Sequence, residues 1–163
     1  MAPTTDLQLR TLYRTLLVFA TFGVLILCVG LVEFVYFERP GQSTGVRATI
    51  VGVYRYDATS RQTSGPDRSE FARADQFAAV VDFGSLPSNL SVDARWYDTF
   101  GSLRGTVGPA SAGQLAAKTV VPFEVPQGNK FVLPGRYTFV VERLSGGTPV
   151  EVLARRFVLV DRT

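Results

Sequence analysis

The sequence predicts an all-β domain, an antiparallel two-sheet β-sandwich of about seven strands, preceded by one N-terminal transmembrane α-helix. Three observations carry this. Thr15 to Val32 is an eighteen-residue run without a charge. From Val46 onward, short segments alternate apolar and polar residues, separated by Gly, Pro, Ser and Asn. No stretch after Gly41 has a helical period. The chain therefore divides into residues 1–41, a short stub with a membrane helix, and residues 42–163, long enough to build a core of their own.

The helix comes first. "TDLQ" at Thr5 to Gln8 reads as a capping box, with Thr5 satisfying a free amide and Gln8 reaching back. Leu7, Leu9, Leu12 and Leu16 carry the apolar pattern into the span. At about 1.5 Å per residue the uncharged run covers roughly 27 Å, close to the hydrocarbon thickness of a bilayer. Tyr13 and Tyr36 stand at its two ends as interfacial aromatics, and Pro40-Gly41 stops the helix. A cleaved secretory signal has an apolar core of about 7–15 residues and small residues at the cut. Here the core is longer, and bulky Phe34, Val35, Tyr36 and Phe37 follow, so an uncleaved anchor is expected.

Arg10, Arg14 and the amino terminus flank one side of the span, Arg39 and Arg47 the other, which nearly balances the positive-inside rule. The short basic N-terminus tips the expectation toward a cytoplasmic stub and a periplasmic or extracellular domain. Arg outnumbers Lys fifteen to two, a usage that fits a GC-rich bacterial genome. The expected location is thus a bacterial inner membrane.

Strands follow in order. "VRATIVGVYR" places Val46, Ala48, Ile50 and Tyr54 on one face, and "QFAAVVDFG" places Phe77, Ala79, Val81 and Phe83 together. "SVDARWYD" puts Val92, Ala94 and Trp96 inward and Asp93 and Arg95 outward. A short strand near Leu103–Val107 comes next, then "KTVVPFEV", "GRYTFVVERL" and "PVEVLARRFVLV". In the last, Val150, Val152 and Ala154 have one parity and Phe157 and Leu159 the other. A β-bulge at Ala154–Arg156 would bring both sets onto one face.

Trp96 on the third strand and "LPGRYTFVV" opening the sixth resemble the immunoglobulin and fibronectin type III class of sandwiches. The resemblance implies an inward Trp96 filling the core and Tyr137 clamping a corner after the Pro-Gly turn. It covers Val46 to Val160 at the level of fold. The intersheet cysteines are absent, and Leu133 lies closer to Tyr137 than the fibronectin pattern has it.

Composition excludes several chemistries. There is no His, and the single Cys, Cys28, lies inside the apolar run. An intrachain disulfide, a Cys/His zinc site, a Ser–His–Asp or Cys–His unit and a His axial ligand cannot be built. No cofactor and no enzymatic activity are expected, although a hydrolase using only Asp and Glu remains chemically open. The net charge is +3 without a basic run, so nucleic acid is not an expected partner. "DFG" at Asp82–Gly84, "NLS" at Asn89–Ser91 and the scattered acids Asp82, Asp93 and Asp98 lack the context that would make them motifs.

Four features remain as candidate sites. Ala20, Gly23, Leu27 and Gly30 share one helix face, where small residues would let a partner helix approach. Glu33, one residue past the uncharged run, would pair with a neighbouring Arg or sit among headgroups. Val51, Val53, Val80, Val120 and Val140 have the parity opposite to the core sets and would form an outward docking surface. The polar segment 57–76 is long for a hairpin connection, which marks it as functional or disordered.

These features lead to an expectation of a non-enzymatic, single-span accessory or scaffold subunit of a larger bacterial membrane complex, respiratory or photosynthetic. Its partners would be the lipid bilayer and the other subunits of that complex. The alternative is a free-standing, membrane-anchored binding module such as a sensor, adhesin or chaperone.

Overall fold

The computed structural model describes residues 4–37, 43–125 and 128–161, and within its helix the side chains of residues 12–30. Two compact units are present, Met1–Arg39 and Pro40–Thr163.

The first unit is one helix, α1, Thr4–Phe37. Its Leu12–Gly30 stretch is apolar enough to cross a membrane, with mean hydropathy 2.1 and none of it buried within the chain. Thr21 hides its hydroxyl by donating to the Leu17 carbonyl at 2.8 Å, which satisfies the polar group inside the helix itself. The side chains of Thr5, Gln8, Glu33 and Tyr36, and the stop at Pro40-Gly41, lie outside the described residues.

The second unit holds nine described strands: β1 Thr49–Asp57, β2 Gln62–Ser64, β3 Glu70–Phe71, β4 Phe77–Asp82, β5 Ser91–Tyr97, β6 Leu103–Ser111, β7 Lys118–Pro122, β8 Gly135–Ser145 and β9 Thr148–Val160. Seven coincide with the alternating segments. The other two, β2 and β3, are short and lie within the polar segment 57–76. A four-stranded sheet runs β2-β1-β4-β7 and a five-stranded sheet runs β3-β9-β8-β5-β6. All pairings are antiparallel except β3 with β9.

One apolar core joins the sheets. Phe77, Ala79 and Val81 of β4 and Val121 of β7 meet Ala94 and Trp96 of β5 and Tyr137, Phe139 and Val141 of β8. Phe77 stands at its middle, 4.9 Å from the Phe123 ring, 5.0 Å from Phe71 and 5.3 Å from Trp96. These stacked, tilted and edge-on ring pairs add to the stability that burial alone supplies.

Of the register shifts in the two sheets, two reset the faces expected for β1 and β9. In β1 the register with β4 shifts between Ile50 and Gly52. Ile50 packs against the core before the shift, and Val53, rather than Tyr54, enters it afterwards. In β9 one shift falls between Val152 and Ala154, so a bulge sits at Leu153, upstream of the expected Ala154–Arg156, and a second falls between Pro149 and Glu151. The Leu153 bulge does set Val152, Phe157 and Leu159 on one face, but that face is the outer one. Leu153, Val158 and Val160 take the core positions instead.

The chain joins the domain at the β8–β9 hairpin end. There the Thr44 amide and hydroxyl donate to the two Glu151 carboxylate oxygens at 2.7 and 2.8 Å, and Arg143 Nε donates at 2.8 Å. The β5–β6 turn, residues 128–135 and the end of β9 lie at the opposite end of the strands.

Candidate interaction surfaces

On α1, the large apolar side chains of residues 12–30 are 53–73 % exposed. A Cβ added at Gly23 or Gly30 would meet nothing within 4 Å. Ala20, Gly23, Leu27 and Gly30 are therefore open to whatever surrounds the helix, as are the other residues of the described span. Glu33 keeps its helical backbone, but its side chain is outside the described residues.

The valine surface is corrected. Val53 and Val140 have no exposed surface and Val80 keeps 7 %, while Val51 is exposed and Val120 half-buried. The bulge in β1 turns Val53 inward. Val80 shares a rung with Gly52, over which the Tyr54 ring lies. Val140 is flanked on its rung by Arg95 and Arg155, whose long aliphatic stems can cover it. Outward parity is not exposure when larger neighbours fold across a small residue.

Exposed apolar side chains gather elsewhere. Among the described residues of the domain, seven large hydrophobics are exposed, and all but Val51 lie on the five-stranded sheet or the loops at its far end. Phe157 and Leu159 face outward from β9. Leu103 and Phe100, the latter 80 % exposed, belong to the start of β6 and the turn before it. Phe131 and Leu133 precede β8. Thr99 of the β5–β6 turn packs directly on Gly135, so these loops are neighbours.

Guanidinium groups accompany the rings. Arg136 stands 4.7 Å and Arg155 5.1 Å from the centre of Phe157, and Arg73 stands 5.9 Å from Phe131. Beneath the loops, Asp98 binds the Phe100 and Ser102 amides at 2.9 Å and Arg104 at 2.8 Å. Burial opposes its ionisation, but these donors outweigh it and hold its carboxyl below the usual range. The Tyr137 hydroxyl donates to the Leu133 carbonyl at 2.5 Å, fixing the approach to β8. Burial first, and the Asp98 charge second, push the Tyr137 phenol up.

The same sheet face hides its acids. Asp93 has no exposed surface, and Glu142, its cross-strand partner, is 5 % exposed. Arg95 forms an ion pair with Asp93 and stands 3.9 Å from Glu142. Neither Asp93 oxygen accepts an aligned hydrogen bond from the described residues, and a Cβ added at Gly108 of β6 would come within 3.0 Å of its Cα and Cβ. Burial pushes the Asp93 carboxyl up, with Arg95 offsetting only part of the shift.

Residues 57–76 are tied to both sheets. Asp67 accepts the Val53 amide at 2.7 Å and pairs with Arg156 at 3.0 Å, while the Val132 amide donates to the Arg73 carbonyl at 2.9 Å. The segment helps wall an open cleft of about 450 Å³, where Arg55 and Asp75 form an ion pair beside Thr59 and Gln76. Among the described residues, no three acidic or Cys side chains are placed to hold a metal ion.

The aromatic–arginine corner is the feature that reading the strands one by one misses. Its members are spread from Arg73 to Leu159, and only the pairing of β8 with β9 and of β5 with β6 assembles them. No protein-family model matches the chain, and no curated protein matches it by sequence.

Proposed function

We propose that this chain is a non-enzymatic, single-span membrane protein serving as an accessory or scaffold subunit of a larger bacterial membrane complex. In this reading α1 crosses the inner membrane with its N-terminus in the cytoplasm and packs on partner helices. The domain braces the periplasmic side of the assembly, and a respiratory or photosynthetic complex is the type of host. The observation that carries the reading is an apolar helical stretch, Leu12–Gly30, with none of it buried, in the same chain as a β-domain that closes its own core. An apolar surface of that size must be covered by lipid or by other helices.

The domain is read as an immunoglobulin or fibronectin type III-like sandwich. Support comes from the arrangement of β1-β4-β7 against β9-β8-β5-β6, from fully buried Trp96, and from the bond between Tyr137 and the Leu133 carbonyl. Such folds host many unrelated functions, so the fold favours a binding or bracing role without naming the partner. The open polar cleft at Arg55 and Asp75 favours a second reading, a free-standing anchored module that holds a small polar ligand.

The helix contact is tested by Gly23→Leu and Gly30→Leu, singly and together, in the chain extracted with mild detergent from its own membranes. Loss of co-migrating subunits in the double variant supports packing through this face. Unchanged co-migration removes the face from the contact, and a ligand-dependent rise in melting temperature without any partner favours the module.

A further inference from the structure

We propose that Asp93 is a proton-controlled latch beneath the edge strand β6. With Asp93 protonated, the stretch Thr106–Ala110 closes over it. With Asp93 ionised, that stretch lifts and lets water reach the carboxylate.

The setting of the acid is the first support. Asp93 has no exposed surface, and neither of its carboxylate oxygens accepts an aligned hydrogen bond from the described residues. A carboxylate so poorly solvated is stabilised either by a proton or by access to water. The strand against it is β6, since a Cβ added at Gly108 would come within 3.0 Å of the Asp93 Cα and Cβ.

The weakness of that cover is the second. β6 is the edge of its sheet, and its ladder with β5 breaks at this point. Val92 pairs with Ala110 and Ala94 with Val107, which leaves Gly108 and Pro109 opposite Asp93 alone. Pro109 has no N–H to donate, and Gly108 has no side chain to pack. Every residue from Thr106 to Ser111 is exposed or half-buried. Both ends of the stretch are pinned. The Arg104 carbonyl accepts the Glu124 amide at 2.7 Å, and the Ala112 amide donates to the Leu90 carbonyl at 2.8 Å. Local opening costs least in such a segment, loosely packed between two fixed points.

Charge is the third. On its own strand Asp93 faces Arg95, which pairs with it and also donates to Tyr97. From β8, Glu142 shares the rung of Asp93 and stands 3.9 Å from Arg95. β9 brings Val152 to the rung of Glu142 and Arg155 to that of Val140, beside the Phe157 ring. Thr106–Ala110 of β6 carries no ionisable side chain, and Arg104 before it is bound to Asp98. One guanidinium thus stands between two acids at the latch. Burial pushes the Asp93 carboxyl up, and Arg95 pulls it only part of the way back. Ionisation is easier in the open form, so opening grows as pH rises.

The test is hydrogen exchange of the full chain in mild detergent, read by mass spectrometry from about pH 5 to about pH 8 and corrected for the intrinsic pH dependence of exchange. Protection of the Thr106–Ala110 amides should fall about ten-fold or more across that range, while protection of Phe139–Val141 in β8 holds. Asp93→Asn, neutral at every pH, should keep β6 protected throughout. In the wild-type chain the Asp93 carboxyl carbon, followed by NMR, should titrate at the midpoint of the β6 change. Equal β6 protection at both ends of the range overturns the latch and leaves Asp93 and Arg95 as a closed ion pair. A carboxyl midpoint outside the β6 transition contradicts it as well. A fall that persists in Asp93→Asn and disappears in Glu142→Gln gives the proton to Glu142 and rules out Asp93. Loss of protection in β6 and β8 together is global unfolding, and it too counts against the latch.

Discussion

Trp96 Nε1 donates to the Val121 carbonyl at 2.9 Å, a hydrogen bond that crosses from β5 of the five-stranded sheet to β7 of the four-stranded one. The indole is fully buried and lies 4.8 Å from the Phe139 ring and 5.3 Å from Phe77. One side chain thus supplies core volume and a polar link between sheets, and the indole N–H would be costly to bury without its acceptor.

Trp96→Phe removes the donor and part of the volume. A loss of about 2–4 kcal/mol is expected from an unmade buried hydrogen bond plus a residual cavity. Urea unfolding followed by circular dichroism measures it, since Trp96 is the chain's single Trp. A loss below about 1 kcal/mol would show that the sheets do not depend on this bond.

Among the described glycines, Gly105 makes the closest approach to another strand's backbone. Its φ is +132°, and an added Cβ would overlap the Pro122 carbonyl oxygen of the neighbouring strand. Gly105→Ala should therefore cost about 3 kcal/mol or more, or abolish folding. Gly146 in the β8–β9 turn also has positive φ, +58°, but open space around it. Gly146→Ala should cost only about 1 kcal/mol. Equal costs for the two would contradict the close approach of β6 to β7.

The seven longer strands were legible because period-two alternation survives wherever one face is buried, as in Val92, Ala94 and Trp96. What stayed hidden has specific causes. β2 and β3 have three and two residues, too few to show a period. The bulges at Ile50–Gly52 and at Leu153 flip parity, which sent Val53 inward and Phe157 and Leu159 outward. The candidate corner depends on loops far apart in sequence, so residue spacing could not announce it.

Asp93 is an unfavourable charge. Burial raises its folded-state pKa, so between its ordinary value and that raised value the folded protein holds a proton that the unfolded chain has released. Stability then falls as pH rises through this window. Asp93→Asn should stabilise the domain by about 1 kcal/mol at pH 7, because Arg95 can still turn to water and to Glu142. The gain should vanish below about pH 3.9. A clear loss at pH 7 would make the Asp93–Arg95 pair a net stabiliser.

Glu151 has the opposite sign. Burial raises its pKa, but the Thr44 amide, Arg143 and the Thr44 hydroxyl together outweigh that and lower it. Its contribution is fully present above the unfolded value of about 4.3 and is lost as pH falls through the depressed folded value. Glu151→Gln should cost about 1–3 kcal/mol at pH 7 and progressively less in acid. Hydrogen exchange at Thr44 and Val46 should accelerate in the same variant, since Glu151 holds the start of that segment to β9, ahead of the Ala48 amide bond to the Leu153 carbonyl.

Whether the chain is a subunit or a free module is decided most directly by its native mass after extraction from its own membrane in mild detergent. As an accessory subunit, it should run in a stoichiometric assembly well above its own 17.8 kDa, with the other subunits present in constant ratio. A monodisperse 17.8 kDa polypeptide, folded and stable alone in that detergent, would contradict the proposed role.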